Sequence, residues 1–517
     1  MNRSSVLLIN PRVCSPSSTR MPLAVMNLAA VLEGRWRWRI VDGNVEGNPV
    51  KAALTALREE PHALVGVSAM PGPQMVAAIE ISAAIREAFP SVPIAWGGYF
   101  PTIYPDAAIN APYVDYLIRA QGEQTLVELL SRLPDAGPPS HLDSAREPAA
   151  LDDVLGLTWK RDGQPVHNLD RPGAAPSAFP VLPYERIDDL RGYLRPSFLG
   201  ARTAVYHAAL GCRYRCEFCG VVTMWNGKTL LEAPERMALS LGMLRDRWGA
   251  DCVQFYDNNF FDREDTSIPV LEALATLDMP YWCFARTDTM AKFSASTWEK
   301  VRKSRLRMAF FGAEAASDEI LKRMKKGARV EHTLEVSAQC REYGVVPELS
   351  FILGGPEDPE DQIEKTFAFI RKIKTINPDA EIVLQYYSPT PQRDRKAMRS
   401  HPGRPTGHLP VLPTYGPAGP SLPTTPEEWA EPKWQNWVCQ RDAPWLTPRL
   451  RRRVKDVARV LACRFPTAQD YRTPSLAKAV LRNLARWRYA TAYYDHSWEL
   501  AIAQRLIRLR NPKTESL

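Results

Sequence analysis

Short apolar runs alternate with amphipathic stretches along the first 130 residues. The runs are Val6–Asn10, Trp38–Val41, Ala63–Ser68, Ile94–Trp96 and Tyr116–Ile118; between them Pro22–Leu32, Val50–Leu57, Pro73–Ala88 and Gly122–Leu133 show helical spacing. Strand–helix alternation with short links predicts a doubly wound parallel sheet, an α/β fold that binds ligands beyond the carboxyl ends of its strands. Ser68-Ala69-Met70-Pro71-Gly72 and Gly97-Gly98 fall at two such ends.

Prolines and polar turns dominate from 134 to 200, predicting a connector with a short hairpin at Leu157–Val166. Apolar runs then recur six times, at Thr203–Leu210, Asp251–Asp257, Tyr281–Arg286, Leu306–Glu314, Pro347–Gly354 and Glu381–Tyr387, with helical patterns between them. Six strand–helix units are what a partial (βα)6 barrel requires, and its chemistry should sit at the C-terminal strand ends. Residues 391–426 are dense in proline and glycine and read as an irregular loop. The remainder is helical, with Thr447 as an N-cap ahead of Pro448. Trp429, Trp434, Trp437 and Trp445 either cover a substrate pocket or pack a small helical domain. The expected division is 1–133, a connector 134–200, a barrel 201–390, a loop 391–426 and a helical region 427–517.

A chain of 517 residues is too long for one core. Its hydrophobic fraction of 45% and charged fraction of 24% are ordinary for a soluble protein. No apolar run approaches a membrane span, and Met1-Asn2-Arg3-Ser4-Ser5 leads into a strand without a signal peptide, so a cytoplasmic location is expected. The net charge of +8 gathers near the C-terminus, at stretches such as Arg449-Leu450-Arg451-Arg452-Arg453. No recognition motif accompanies them; they read as a solvated helix face, and no nucleic-acid partner is expected. Nine scattered cysteines do not resemble a disulfide framework.

Three of those cysteines carry the chemistry. Gly211-Cys212-Arg213-Tyr214-Arg215-Cys216-Glu217-Phe218-Cys219-Gly220 has the spacing C-x3-C-x2-C, directly after the first barrel run. Closely spaced thiolates suit iron–sulfur clusters or zinc. Zinc sites usually close with a second ligand pair, and no C-x2-C partner exists here. Three cysteines hold three irons of a cubane and leave the fourth open. The loop resembles the signature of the radical SAM superfamily, including the aromatic Phe218 before the last cysteine. That resemblance implies a 4Fe-4S cluster on Cys212, Cys216 and Cys219 that chelates S-adenosyl-L-methionine.

Other strand ends share the resemblance. Gln254-Phe255-Tyr256-Asp257-Asn258-Asn259-Phe260 is similar to a segment ending near the adenosine. Phe311-Gly312-Ala313-Glu314-Ala315-Ala316-Ser317 resembles G-x-E-S-x-S, with Ala315 in a serine's place; Glu314 would meet the amino or ribose groups. Gly354 and Gly355 match the turn approaching the adenine. Arg286 ends the third strand, where it would face a carboxylate. For Arg286 and Glu314 the competing assignment is a structural ion pair, and for Asp257 a helix cap.

The first 130 residues resemble the cobalamin-binding domain attached to many radical SAM enzymes, through Leu7-Leu8-Ile9-Asn10-Pro11, Ser68, Gly97-Gly98 with Pro101-Thr102, and Val114-Asp115-Tyr116 through Gly122-Glu123. The resemblance implies that Ser68, Gly97 and Gly98 make room for the nucleotide tail. The cobalt-ligating D-x-H-x-x-G motif is missing: Asp42-Gly43-Asn44-Val45-Glu46-Gly47 has asparagine in the histidine place and follows the second strand.

The combined resemblance, over roughly residues 1 to 390, is to cobalamin-dependent radical SAM enzymes. It implies reductive cleavage of S-adenosylmethionine, a 5′-deoxyadenosyl radical, and methylation of an unactivated carbon of a small-molecule substrate, with an electron donor such as flavodoxin or ferredoxin. A cobalamin-assisted oxidative cyclase or rearrangement enzyme shares every motif, and a non-catalytic cobalamin sensor is a third class. A methylthiotransferase is disfavoured, because only Cys14 lies in the first domain.

Overall fold

Strand β1 (Ser5–Asn10) is buried along its whole length. Apolar residues on both faces are what a central parallel strand needs, because helices cover the sheet on either side. In the computed structural model, β1 lies between β2 (Arg37–Asp42) and β3 (His62–Ser68), followed by β4 (Ile94–Gly97) and β5 (Tyr116–Ile118), all parallel. The structure describes residues 5–133 and 151–510, apart from 356–358, 389, 391, 394–410, 413–421, 442, 444, 445, 466 and 468–475.

The hairpin expected inside a connector has a different role. Strands β6 (Leu157–Arg161) and β7 (Gln164–His167) add antiparallel to β5 and extend the sheet to seven strands. Buried Arg119, just past β5, holds this addition by donating to the carbonyls of Leu157 and Asn168. An edge strand with unpaired backbone groups is a template for pairing, and the hairpin covers it.

The second sheet has the order β15–β14–β13–β12–β11–β8, all parallel. Its strands are β8 (Thr203–Tyr206), β11 (Cys252–Phe255), β12 (Tyr281–Ala285), β13 (Leu306–Glu314), β14 (Val346–Leu353) and β15 (Glu381–Tyr386). Helices Pro234–Trp248, Glu264–Ala275, Ala295–Lys303, Val330–Tyr343 and Pro359–Ile376 alternate with these strands. Alternate residues Tyr281, Cys283 and Ala285 join the shared core with the helices, as do Phe311 and Ala313, and Leu349, Phe351 and Leu353. The intervening positions therefore face the concave side. With β8 and β15 unpaired to each other, the six strands form an open barrel. The run after β8 breaks at His207 and resumes as β9 (Ala209–Gly211), which pairs antiparallel with β10 (Thr229–Leu231).

Trp429, Trp434 and Trp437 do not pack among the last helices. They join the core of the first sheet, with Trp429 against Phe100 and Tyr104 at ring centroids of 6.0 and 4.3 Å. Tyr113 Oη donates to Glu427 at 2.6 Å and Asn110 to the Thr424 carbonyl at 3.0 Å. Beyond this segment, Leu446 and helix Pro448–Arg464 join the barrel core. One stretch of chain thus packs on both sheets. Thr447 caps the helix as expected, accepting from the Leu450 amide at 3.2 Å. Trp445 lies outside the described residues, as does most of 391–426. Among the described residues no helix is long and apolar enough to cross a membrane.

Candidate active site at the facing sheet ends

The cysteine loop is pinned at its base and side. Pairing of β9 with β10 closes it, and Gly211 has φ +79°, where an added Cβ would overlap the Lys228 carbonyl and Trp225. Only glycine fits that turn. The Cys219 amide donates to the Cys216 carbonyl at 3.2 Å, Arg215 reaches the Asn226 carbonyl at 2.9 Å, and the Glu217 amide meets the Met324 carbonyl at 3.0 Å. Phe218 packs with Met324, Ile352 and Tyr387, anchoring the last turn.

Cys212, Cys216 and Cys219 are free thiols. Burial pushes Cys219 up to about 12, the neighbouring Cys216 and Cys212 adding to the rise and Lys326 opposing it. Among the described residues no three His, Cys, Asp or Glu side chains are set to hold a metal ion as they stand. The loop supplies three soft donors that sense each other's charge, with cations beside them. Arg286 Nη1 lies 3.5 Å from Cys216 Sγ, and its guanidinium stacks on the Tyr214 ring at 3.4 Å. Sulfur donors with nearby cations to offset their charge fit an anionic iron–sulfur cluster.

Arg286 does not wait for a substrate carboxylate. It pairs with Asp288 at 2.9 Å and donates to the Lys326 carbonyl, all with little exposure. Glu314 is likewise paired, with Lys326 at 2.6 Å. Its φ of +61° is unusual for a side-chain-bearing residue, and the register of β13 on β14 shifts between Gly312 and Glu314. The bend and the buried pair set the position of the carboxylate at the rim. Asp257 accepts from the Ala209 amide, binding β11 to the strand ahead of the cysteines rather than capping a helix. Burial raises its carboxyl well above the usual range, and its second oxygen has no hydrogen-bond partner among the described residues. Asn258 similarly accepts from the Gly211 amide at 3.0 Å. Gly354 has φ +72° and faces Leu446, whose Cδ1 would lie 2.7 Å from an added Cβ, while a Cβ on Gly355 would meet nothing within 4 Å among the described residues.

At the end of the first sheet Ser68 pairs in register with Gly97. Gly98 has φ +101°, and an added Cβ would come within 3.1 Å of the Ala69 carbonyl. Phe100 N donates to Ala69 and Thr102 Oγ1 to Gly98. The three residues therefore meet at a tight strand end where Gly98 is needed for close packing against Ala69 and Ser68. Asn44 is engaged elsewhere: its carbonyl accepts from the Val13 and Cys14 amides at 2.8 and 3.1 Å, latching the loop after β1.

Tyr99, which sequence reasoning passed over, connects the two ends. It follows Gly97-Gly98 directly, and its hydroxyl occupies the space an added Cβ on Gly220 would need. Burial and then Cys219 push its phenol above the ordinary value. The carboxyl ends of both sheets thus abut beside the cysteine loop.

Residues 15–130 match the family model of the B12 binding domain, and residues 207–370 that of the Radical SAM superfamily. This chain carries a B12-binding domain followed by a radical SAM domain. The first implies cobalamin, and the second a 4Fe-4S cluster with S-adenosylmethionine. The chain is 23% identical over 360 residues to an uncharacterized methyltransferase of Pyrococcus horikoshii, covering 69% of this chain and 74% of that one. It is 23% identical to the anaerobic magnesium-protoporphyrin IX monomethyl ester cyclase of Synechocystis, over 59% of this chain and 58% of that one. It is 22% identical to the cytidylyl-2-hydroxyethylphosphonate methyltransferase of Streptomyces wedmorensis, over 52% and 53%. The matched region thus spans only about half of some of these relatives. Among solved structures, the radical S-adenosylmethionine methyltransferase TsrM of Kitasatospora setae aligns with a TM-score of 0.59 at 18% identity, covering 75% of this chain and 73% of that one. The cobalamin-dependent S-adenosylmethionine radical enzyme OxsB aligns at 0.58 and 18%, over 71% and 52%. At such identities the likeness shows the fold.

Proposed function

We propose that this B12-binding radical SAM protein methylates an unactivated carbon of a small-molecule substrate. The observation that carries this is the contact of Tyr99 with Gly220, which brings the strand ends of the B12-binding domain against the loop of Cys212, Cys216 and Cys219. A methyl donor and a radical source must both reach one substrate atom, and abutting strand ends serve that need.

When bound, the cluster with S-adenosylmethionine supplies one-electron chemistry, and cobalamin supplies a methyl group. Cys212, Cys216 and Cys219 hold the cluster, with Arg286 and Lys326 offsetting its charge. Glu314 and Gly355 line the side where S-adenosylmethionine binds, and Ser68, Gly97 and Gly98 receive the nucleotide tail. Asp257 and Asn258 position the loop through its backbone. A one-electron donor such as flavodoxin or ferredoxin and a cytoplasmic setting complete the proposal.

The test is anaerobic reconstitution with iron, sulfide and cobalamin, followed by assay for 5′-deoxyadenosine and for a labelled methyl group in product. Release of 5′-deoxyadenosine with a product heavier by one methylene supports methylation. The cyclases among the relatives favour oxidative cyclisation as the second activity, which produces no such gain in mass. Unchanged cellular activity in Cys216→Ala would indicate a cobalamin sensor instead.

A further inference from the structure

On the concave side of the barrel Glu348 makes no ion pair among the described residues, and its register partner on β15 is a second carboxylate, Glu381. Glu348, on β14, alternates with Leu349, which packs outward among the core helices, so Glu348 points inward. Its side chain takes one hydrogen bond, from Trp282 Nε1 at 3.3 Å. Trp282, Phe284 and Phe310 occupy successive inward positions on β12 and β13, with ring centroids 4.6 and 5.2 Å apart. All four side chains remain half-buried in the middle of a sheet whose other face is fully covered. Aromatic faces with residual exposure inside a barrel form a wall for a ligand, because a core without a ligand would close over them.

The B12-binding domain reaches the same wall beside Trp282, whose register partner on β11 is Gln254. Arg20 donates to Gln254, another inward position, at 3.3 Å, and also to the Thr19 and Pro196 carbonyls. The arginine thus spends these bonds on neutral acceptors beside Trp282. Glu348 lies five residues before the end of β14, about 16 Å along the strand from the rim where the cysteine loop sits.

We propose that the barrel lumen binds an elongated, flat substrate whose deep end carries a protonated nitrogen, held by Glu348 and stacked along Trp282, Phe284 and Phe310. This deepens the proposed methyltransferase function by naming a substrate class, and rests on it only for the use of the site. A cation beside Glu348 replaces lost hydration with an ion pair, and the aromatic faces favour the same charge.

Equilibrium dialysis of the full-length, anaerobically purified protein at pH 8 tests the proposal with three probes of one shape: 2-naphthylmethylamine, 2-naphthylmethanol and 2-naphthoate. The amine is expected to bind at least about tenfold tighter than the alcohol, with the carboxylate weakest. Glu348→Gln should lower the amine to the affinity of the alcohol and leave the alcohol unchanged. Trp282→Phe, which keeps the carboxylate and an aromatic face, should preserve the amine preference. Equal binding of the three probes, no binding of any, or an amine preference that survives Glu348→Gln overturns the proposal. The wild-type ranking decides even if a variant fails to fold. Dialysis needs no turnover, so its failure leaves the methylation test untouched, and absence of methylation would leave the binding result standing.

Discussion

The hydroxyl of Tyr99 sits where a side chain on Gly220 would begin, so a residue of the B12-binding sheet and a residue of the cysteine loop share one small space. Gly220 is buried, and its neighbour Cys219 is the last of the three thiols. The absence of a side chain at 220 is therefore a condition for the two domains to meet.

Gly220→Ala is expected to lower both the iron content after reconstitution and the melting temperature, because overpacking at a rigid contact costs about 1–3 kcal/mol. Tyr99→Ala should relieve the clash. A double-mutant cycle read by urea denaturation should show coupling well above the few tenths of a kcal/mol of independent sites. Strict additivity would mean that the residues do not touch.

Lys326→Met should destabilise by about 3–5 kcal/mol, since it leaves the Glu314 carboxylate buried without its cation. Adding Glu314→Gln to the same chain should recover much of that loss. Chemical denaturation of wild type and both variants measures it. Recovery is the diagnostic, because a purely steric effect of methionine would persist.

Asp257 binds the Ala209 amide from a carboxyl that burial raises well above the usual range. Asp257→Asn keeps an acceptor there and should retain the cluster. Asp257→Ala leaves a buried amide without a partner, at about 1–3 kcal/mol, and should reduce bound iron. Iron and sulfide analysis of both variants separates the outcomes.

Trp429 is almost fully buried against Phe100 and Tyr104. Trp429→Ala should cost about 3–5 kcal/mol and loosen the B12-binding domain before the barrel, visible as two non-coincident unfolding transitions.

Burial pushes the Glu348 carboxyl up to about 7, the Trp282 hydrogen bond opposing and Glu381 adding to the rise. The ordinary value for the unfolded chain is 4.5. Between these values the folded protein holds a proton that the unfolded chain has released. The favourable contribution of this group is complete below about pH 4.5 and is lost as pH rises through about 7. Glu348→Gln has no such dependence. Its melting temperature relative to wild type should therefore increase from pH 5 to pH 8; a constant difference would place the carboxyl in ordinary solvent.

Local pattern was enough for the strands and for the cysteine loop. Hydrophobic alternation is set by each residue's own demand for burial, so most parallel strands appear with ends shifted by only a residue or two, the run at Thr203–Leu210 breaking at His207 being the exception, and C-x3-C-x2-C is a spacing within one short loop. The partners of the other candidates were hidden. Arg286 meets Cys216, 70 residues away, and Asp257 meets Ala209, 48 residues away. A charged residue at a strand end looks the same whether it awaits a ligand or ties a loop.

What the amino-acid order determined alone is therefore the list of elements, the three sulfur donors and the need of Trp429, Trp434 and Trp437 for an apolar surface. Which surface they cover, that the hairpin β6–β7 joins the first sheet, and that Tyr99 and Glu348 come to line the site were decided by folding. Those outcomes depend on contacts between distant segments, whose energies follow from shape and burial in three dimensions and leave no periodic trace along the chain.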